Sequence, residues 1–198
     1  QVEKLVKVYK NTKVDAQMLK DADVDAVILA IGSSPITIKL EGMDKLQHAS
    51  APEVLRHEVC PKGKVAVIGG GLVGLETADT LATDGCDVTV LEMKDEIGSD
   101  LGSLRKIAVM MKLQQMQVKM LPNSKVCKFT EEGIVLEDET LVPCNCAVFA
   151  VGFASNDSHL LVEECEKRQI PCRVIGDAKS ARRALDAIAE GFEAARTL

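Results

Sequence analysis

The run Val65-Ala-Val-Ile-Gly-Gly-Gly-Leu-Val-Gly-Leu-Glu-Thr-Ala78 leaves this chain little freedom of fold. Val65–Ile68 is apolar at every position, the pattern of a strand buried on both faces of a parallel sheet. Glycines then turn the chain, and Leu72–Thr83 has the composition of a helix, stopped by Asp84-Gly85 with Gly at the expected C-terminal position. A second apolar strand, Val88–Leu91, finishes on Glu92. Strand, glycine turn, helix, strand and terminal acid, in that order, are the parts of a Rossmann-type dinucleotide-binding unit. The context makes the Gly69–Gly74 match informative where a bare Gly-x-Gly-x-x-Gly would be weak.

Each residue has a physical task. Gly69 permits the tight turn, and Gly71, lacking Cβ, lets a pyrophosphate approach the backbone. Gly74 lets the helix pack closely on the strand. Free N–H groups and the positive helix end at Leu72–Val73 are expected to hold phosphate charge without a lysine. Glu92 lies 18 residues beyond Gly74 and can accept hydrogen bonds from the adenosine ribose. Gly70, Met93 and, further along the chain, Gly152 join these as expected cofactor-binding residues. A 2′-phosphate beside Glu92 would meet like-charge repulsion, which favours NAD(H) over NADP(H). Lys94, two residues on, is a cation able to receive such a phosphate, so NADP(H) stays open.

Elsewhere strands and helices alternate. Lys4–Asn11 reads as an alternating strand, Ala16–Asp23 as a short polar helix and Val24–Ile31 as a strand buried on both faces, broken by Ser33-Ser34-Pro35. Ser50-x-x-Glu53 is a capping box opening a helix to about His57. A helix over about Leu101–Met116 carries Leu104, Ile107, Ala108, Met111 and Met116 at helical spacing, which reads as core filling. Val118–Leu121 is a strand, and Lys125–Thr130, Ile134–Leu136 and Thr140–Val142 form a meander. Cys146–Val151 and Arg173–Ile175 are further strands, and Ser180–Thr197 is a terminal helix. The fold class is therefore α/β with a mainly parallel sheet.

The 198 residues suffice for one large domain or two small ones. A formal charge of −6 with scattered basic residues argues against a nucleic-acid partner; Arg182 and Arg183 stand beside Asp186 and Glu190 on what reads as a solvated helix face. No apolar run approaches the ~20 residues of a membrane span, and no secretory signal is evident, so a cytoplasmic protein without a membrane partner is expected. The seven cysteines include Cys144-x-Cys146 but no Cys-x-x-Cys, and read either as small buried residues or as thiols with a redox role. His48, His57 and His159 are isolated and read as surface residues, so no metal is expected. No Ser/His/Asp or Cys/His pattern marks a nucleophile, and no catalytic residue is assigned.

Four segments together carry a family resemblance: Ala26-Val-Ile-Leu-Ala-Ile-Gly-Ser-Ser-Pro35, the glycine fingerprint, Ala147-Val-Phe-Ala-Val-Gly152 and Val174-Ile-Gly-Asp177. They resemble the two-dinucleotide-domain flavoprotein reductases, with a pyridine nucleotide-disulfide oxidoreductase-like fold. Val67–Met93 and Ile175–Leu198 look like the C-terminal part of NADH:flavin oxidoreductases of the old-yellow-enzyme type, whose members include enoate reductases and 2,4-dienoyl-CoA reductases.

The resemblance implies an NAD domain at about 61–142, inserted in an FAD-binding-type domain made of 1–58 and 143–198. It implies that Asp177 hydrogen-bonds the flavin ribityl chain, although a helix-capping aspartate would look the same in sequence. Where the family has Ala-Thr-Gly, this chain has Ala30-Ile31-Gly32, and Gly152-Phe-Ala-Ser155-Asn156 replaces Gly-x-x-Pro-Asn. No second glycine fingerprint is present to grip an FAD pyrophosphate, and neither a catalytic barrel nor iron–sulfur cysteines are found. The expectation is a C-terminal fragment that binds NAD(H), has an incomplete FAD site, and lacks as partners an N-terminal FAD-domain segment and a barrel domain. Apolar sheet edges around Val24–Ile31 and Ala147–Val151 would then be exposed and invite self-association. Two other readings are a nucleotide-binding or redox-sensing module without catalysis, and a dithiol reductase using Cys144 and Cys146.

Overall fold

The computed structural model describes residues 2–198; Gln1, at the head of the expected 1–58 segment, lies outside them. The chain forms two compact units, Pro35–Phe153 and the residues up to Ser34 together with Ala154–Leu198. The compact unit Pro35–Phe153 takes in more of the chain than the 61–142 span that the resemblance implies for an NAD domain. The reason is the sheet: strands Gln47–Ser50 and Cys146–Phe149 belong to it as much as Lys64–Ile68 does.

In the Pro35–Phe153 unit, five parallel strands lie in the order Gln47–Ser50, Cys146–Phe149, Lys64–Ile68, Asp87–Leu91, Lys119–Leu121. Val65 faces Val88 on one side and Cys146 on the other. Because side chains alternate across a strand, Val65 and Val67 enter one core layer and Ala66 and Ile68 the other. The first layer packs against helices: Leu75, Ala78 and Leu81 from Leu72–Thr83, Leu113 from Ser103–Gln115 and Val54 from Ala51–Leu55. The second layer is covered by an antiparallel meander of Val126–Thr130, Gly133–Leu136 and Leu141–Pro143, which contributes Phe129, Ile134, Leu136 and Val142. Both sheet faces are sealed, as a parallel sheet requires.

The capping box is formed: the Ser50 N–H and hydroxyl both donate to Glu53 Oε2, at 2.7 and 2.6 Å. The unit's own two ends are adjacent, with the Ile36 N–H donating to the Gly152 carbonyl at 3.0 Å.

The other unit is built more sparingly. Val27–Leu29 pairs in parallel with Cys172–Val174 as a two-stranded sheet. Helix Ala16–Asp21 is capped by the Asp15 carboxylate, which accepts from the Met18 N–H at 2.8 Å, and packs on helix His159–Lys167. The Arg168 guanidinium clamps the first helix's end, donating to the carbonyls of Leu19 and Ala22. Helix Ala184–Thr197 follows a single 3-10 turn at Gly176–Ala178.

Several expectations are corrected. Lys4–Asn11 is not a strand; Leu5, Val6, Val8 and Tyr9 are exposed, and alternation without a partner strand stabilises nothing. The Val24–Ile31 strand shrinks to Val27–Leu29, with Ile28 exposed. Ser33–Pro35, read as a break, is itself a short strand, paired with Phe153–Ser155. Ala147–Phe149 offers no open edge, being sandwiched between two strands and buried. Helix Ser103–Gln115 turns the expected core stripe outward: Leu104, Ile107 and Met111 are 83%, 58% and 57% exposed, while Leu113 is buried. Among the described residues no helix is long and apolar enough to cross a membrane.

Candidate functional site

The order of the strands puts a topological switch beside Lys64–Ile68. After it the chain runs outward through Asp87–Leu91 and Lys119–Leu121, then returns on the other side as Cys146–Phe149. In open α/β sheets the crevice beyond the strand ends at such a point is where ligands bind. A cavity of about 520 Å³ opens there, lined by Gly69, Gly71, Leu72, Val73, Glu92, Met93 and Gly152 together with Asp100, Ser124 and Val151. Seven of the sequence-selected residues are therefore brought together. Gly70 and Gly74 are buried behind them and shape the turn.

The turn is built as the sequence implies. Gly69 has φ +110° and its N–H donates to the Leu91 carbonyl at 2.8 Å; a Cβ there would lie 2.4 Å from the Ala150 carbonyl oxygen. A Cβ on Gly74 would fall 1.9 Å from the Gly69 carbonyl oxygen, so the helix can lie this close to the strand only with glycine at that position. Helix Leu72–Thr83 begins from Gly71, and Thr77, wholly buried, returns its hydroxyl to the Val73 carbonyl at 2.7 Å.

Glu92 is fixed rather than free. One carboxylate oxygen accepts the Gly70 N–H at 2.7 Å and the other the Lys94 N–H at 2.9 Å. Each oxygen keeps lone-pair capacity toward the cavity. Met93 and Lys94 are exposed beside it.

One detail departs from the sequence reading. The Leu72 N–H is not free: it donates to both carboxylate oxygens of Asp100, at 3.1 and 3.0 Å. A Cβ at Gly71 would meet the same carboxylate at 3.1 Å. The loop that carries Asp100 is tied to the glycine turn by the Gly98 N–H, which donates to the Gly70 carbonyl at 2.7 Å. Sequence reasoning missed Asp100 because it sits in a polar loop with no periodicity or spacing to single it out.

Asp177 lies in the other unit. It accepts from the Ser33 hydroxyl at 3.2 Å and from the Arg182 N–H at 3.3 Å, bracing the turn that precedes the last helix. Behind it Glu190 accepts the Gly176 N–H at 2.7 Å and the side chains of Lys179 and Arg182. The Arg182 guanidinium, then the Gly176 N–H, hold the Glu190 carboxyl down to about 2.

The positions of Cys144 and Cys146 do not favour dithiol chemistry. Cys144 and Cys146 are buried in opposite core layers, and burial pushes each thiol up to about 11, away from the thiolate that such chemistry needs. Among the described residues no group of three or more His, Cys, Asp or Glu side chains could hold a metal ion.

Comparison with known proteins agrees with this architecture. The family model described as pyridine nucleotide-disulphide oxidoreductase matches residues 2–178. The chain is 36% identical over 191 residues to a bilirubin reductase of Mediterraneibacter gnavus, covering 93% of this chain and 29% of that protein. To a cinnamate reductase of Clostridium sporogenes it is 34% identical over 201 residues, covering 98% of this chain and 29% of the relative. It therefore spans under a third of the length of these curated relatives. Among solved structures, 2-naphthoyl-CoA reductase in complex with 2-naphthoyl-CoA superimposes with a TM-score of 0.88 at 24% identity, over 100% of this chain and 30% of that one. Histamine dehydrogenase from Rhizobium sp. 4-9 gives 0.81 at 14%, over 95% and 33%. At these identities the structures speak for the fold alone. The resemblance to the nucleotide-binding region of NADH:flavin oxidoreductases is borne out, and the chain belongs to the pyridine nucleotide-disulphide oxidoreductase family.

Proposed function

We propose that Gly69–Gly74 with Glu92 binds NAD(H), and that the chain is the cofactor-binding part of a flavin-dependent oxidoreductase. The observation that carries this reading is the cavity at the switch point, walled by a glycine turn without Cβ atoms and by a carboxylate held open-faced. Its volume of about 520 Å³ falls within the range of cofactor sites. The first-turn amide of Val73, and that of Leu72 once the Asp100 carboxylate yields it, supply partial positive charge for the pyrophosphate. Glu92 accepts the adenosine ribose hydroxyls and, being anionic, disfavours a 2′-phosphate. Met93 and Gly152 flank the bound nucleotide.

The unit made of the residues up to Ser34 and Ala154–Leu198 serves as part of an FAD-binding-type domain, with Asp177 toward the flavin. Held at Gly69–Gly74 and Glu92, NADH would supply hydride-transfer chemistry and a flavin near Asp177 the electron relay to a reducible substrate, while the protein would position and insulate both. The relatives' names, bilirubin reductase and cinnamate reductase, support an unsaturated organic acceptor. Their greater length supports a reaction completed with further domains, an additional FAD-domain segment and a barrel among them.

The test is a titration of the chain with NADH and with NADPH, followed by nicotinamide fluorescence after the visible spectrum has been recorded. Saturable NADH binding, at least tenfold tighter than NADPH, is expected. Failure of both nucleotides to bind would overturn the reading, and a flavin spectrum in the purified chain would overturn the incompleteness of the FAD site.

A further inference from the structure

We infer that Asp100 is an internal counter-anion seated where the dinucleotide pyrophosphate must bind, and that it sets the affinity of this site for phosphate-bearing ligands. The inference rests on the NAD(H) reading above. The Asp100 carboxylate spans the Leu72 N–H with both oxygens, stands against Gly71 and lines the same cavity as Glu92. The first helical N–H, one of the donors that a Rossmann turn offers an anion, is therefore taken by the protein itself.

A pyrophosphate reaching Leu72 has to displace this carboxylate or lie beside it against like charge. The surroundings allow displacement. Asp100 is exposed, so its side chain alone can turn away; the backbone around it is tied, the Gly98 N–H donating to the Gly70 carbonyl, the Leu101 N–H to the Gly98 carbonyl at 3.2 Å and the Lys106 N–H to the Gly102 carbonyl at 2.9 Å. Two lysines line the cavity: Lys125 is paired with Glu137 at 2.6 Å, while Lys94, exposed beside Glu92, offsets only part of the negative charge that Glu92 and Asp100 bring there. The exposed carboxylate acts through water, so its repulsion is modest and salt-sensitive.

Asp100→Asn tests this. Asparagine keeps an oxygen to accept the Leu72 N–H but removes the charge. NADH and ADP-ribose are expected to bind three- to tenfold more tightly to the variant than to the unaltered chain at low salt. Adenosine, which has no phosphate, is expected to bind both equally. Near 1 M salt, where the screening length is about 3 Å, the gain for NADH is expected to fall below twofold. Equal or weaker NADH binding by the variant, while the unaltered chain binds, overturns the role of Asp100 alone. An equal gain for adenosine also overturns it, because the effect would then be steric. If the unaltered chain binds neither NADH nor ADP-ribose, the site reading falls and this inference with it. A second variant, Asp100→Ser, keeps a capping oxygen on a shorter arm and is expected to reproduce the gain; loss of the gain there overturns the role of charge.

Discussion

Gly71 and Gly74 stand three residues apart on the same turn, yet what surrounds them is different in kind. The space beside Gly74 is filled by backbone, the Gly69 carbonyl, which cannot yield; the space beside Gly71 is filled by the Asp100 carboxylate, which can move. Gly74→Ala is therefore expected to destabilise the fold by about 3 kcal/mol, the cost of overpacking against rigid structure. Gly71→Ala is expected to stay within about 1 kcal/mol while weakening NADH binding at least tenfold. Urea midpoints and a fluorescence titration on the two variants check this; equal stability losses would refute the distinction. The steric roles of Gly69 and Gly74 were legible in the sequence because a strand-to-helix turn this tight leaves no room for a side chain there. The engagement of the Leu72 N–H by Asp100 was not legible, because a carboxylate in an aperiodic loop can point anywhere until tertiary contacts place it.

Among the elements, helix Ser103–Gln115 teaches the most. Two apolar stripes run along it at helical spacing, and periodicity alone does not rank them. Leu104, Ile107 and Met111 make the more regular one, yet the packed side carries Leu113, with Val109 and Met110 against the core. The choice is made by the sheet beneath, whose residues reach the helix from distant parts of the chain. Leu113→Ala is expected to cost about 2–5 kcal/mol and Ile107→Lys to change stability by no more than about 0.5 kcal/mol. Thermal or urea unfolding checks the pair, and the reverse order would return the helix to its sequence-based orientation. The edge strand Gln47–Ser50 escaped notice for a related reason: only Ala49 along it is buried, so no apolar pattern announces it. The central strands, buried on both faces, were plain.

For the molecule as a whole, the two units differ in how much core they own. Both extended apolar clusters lie in Pro35–Phe153. Among the described residues, the buried apolar side chains of the other unit are Leu19, Leu29, Cys165, Ala178 and Ala194. A region with little buried apolar area opens at low free energy. Amides of Val27–Leu29 and Cys172–Val174 are accordingly expected to exchange with solvent at least a hundredfold faster than those of Lys64–Ile68 and Cys146–Phe149. Native-state hydrogen exchange measures this, and uniform protection would mean that the smaller core is no weaker. The α/β class was legible from alternating segments. The extent of the five-stranded sheet was not legible, because membership of a sheet is decided by strand pairing that no local pattern records.

The bond between Ile36 and Gly152 joins the entrance and the exit of the larger unit. A module whose ends meet asks of its host only a gap the width of a hairpin. Recombination can move such a cassette between genes, lengthen its internal loops or exchange it for a homologue without disturbing the host's backbone on either side. The Pro35–Phe153 unit and the chain on either side of it are thereby free to evolve at separate rates.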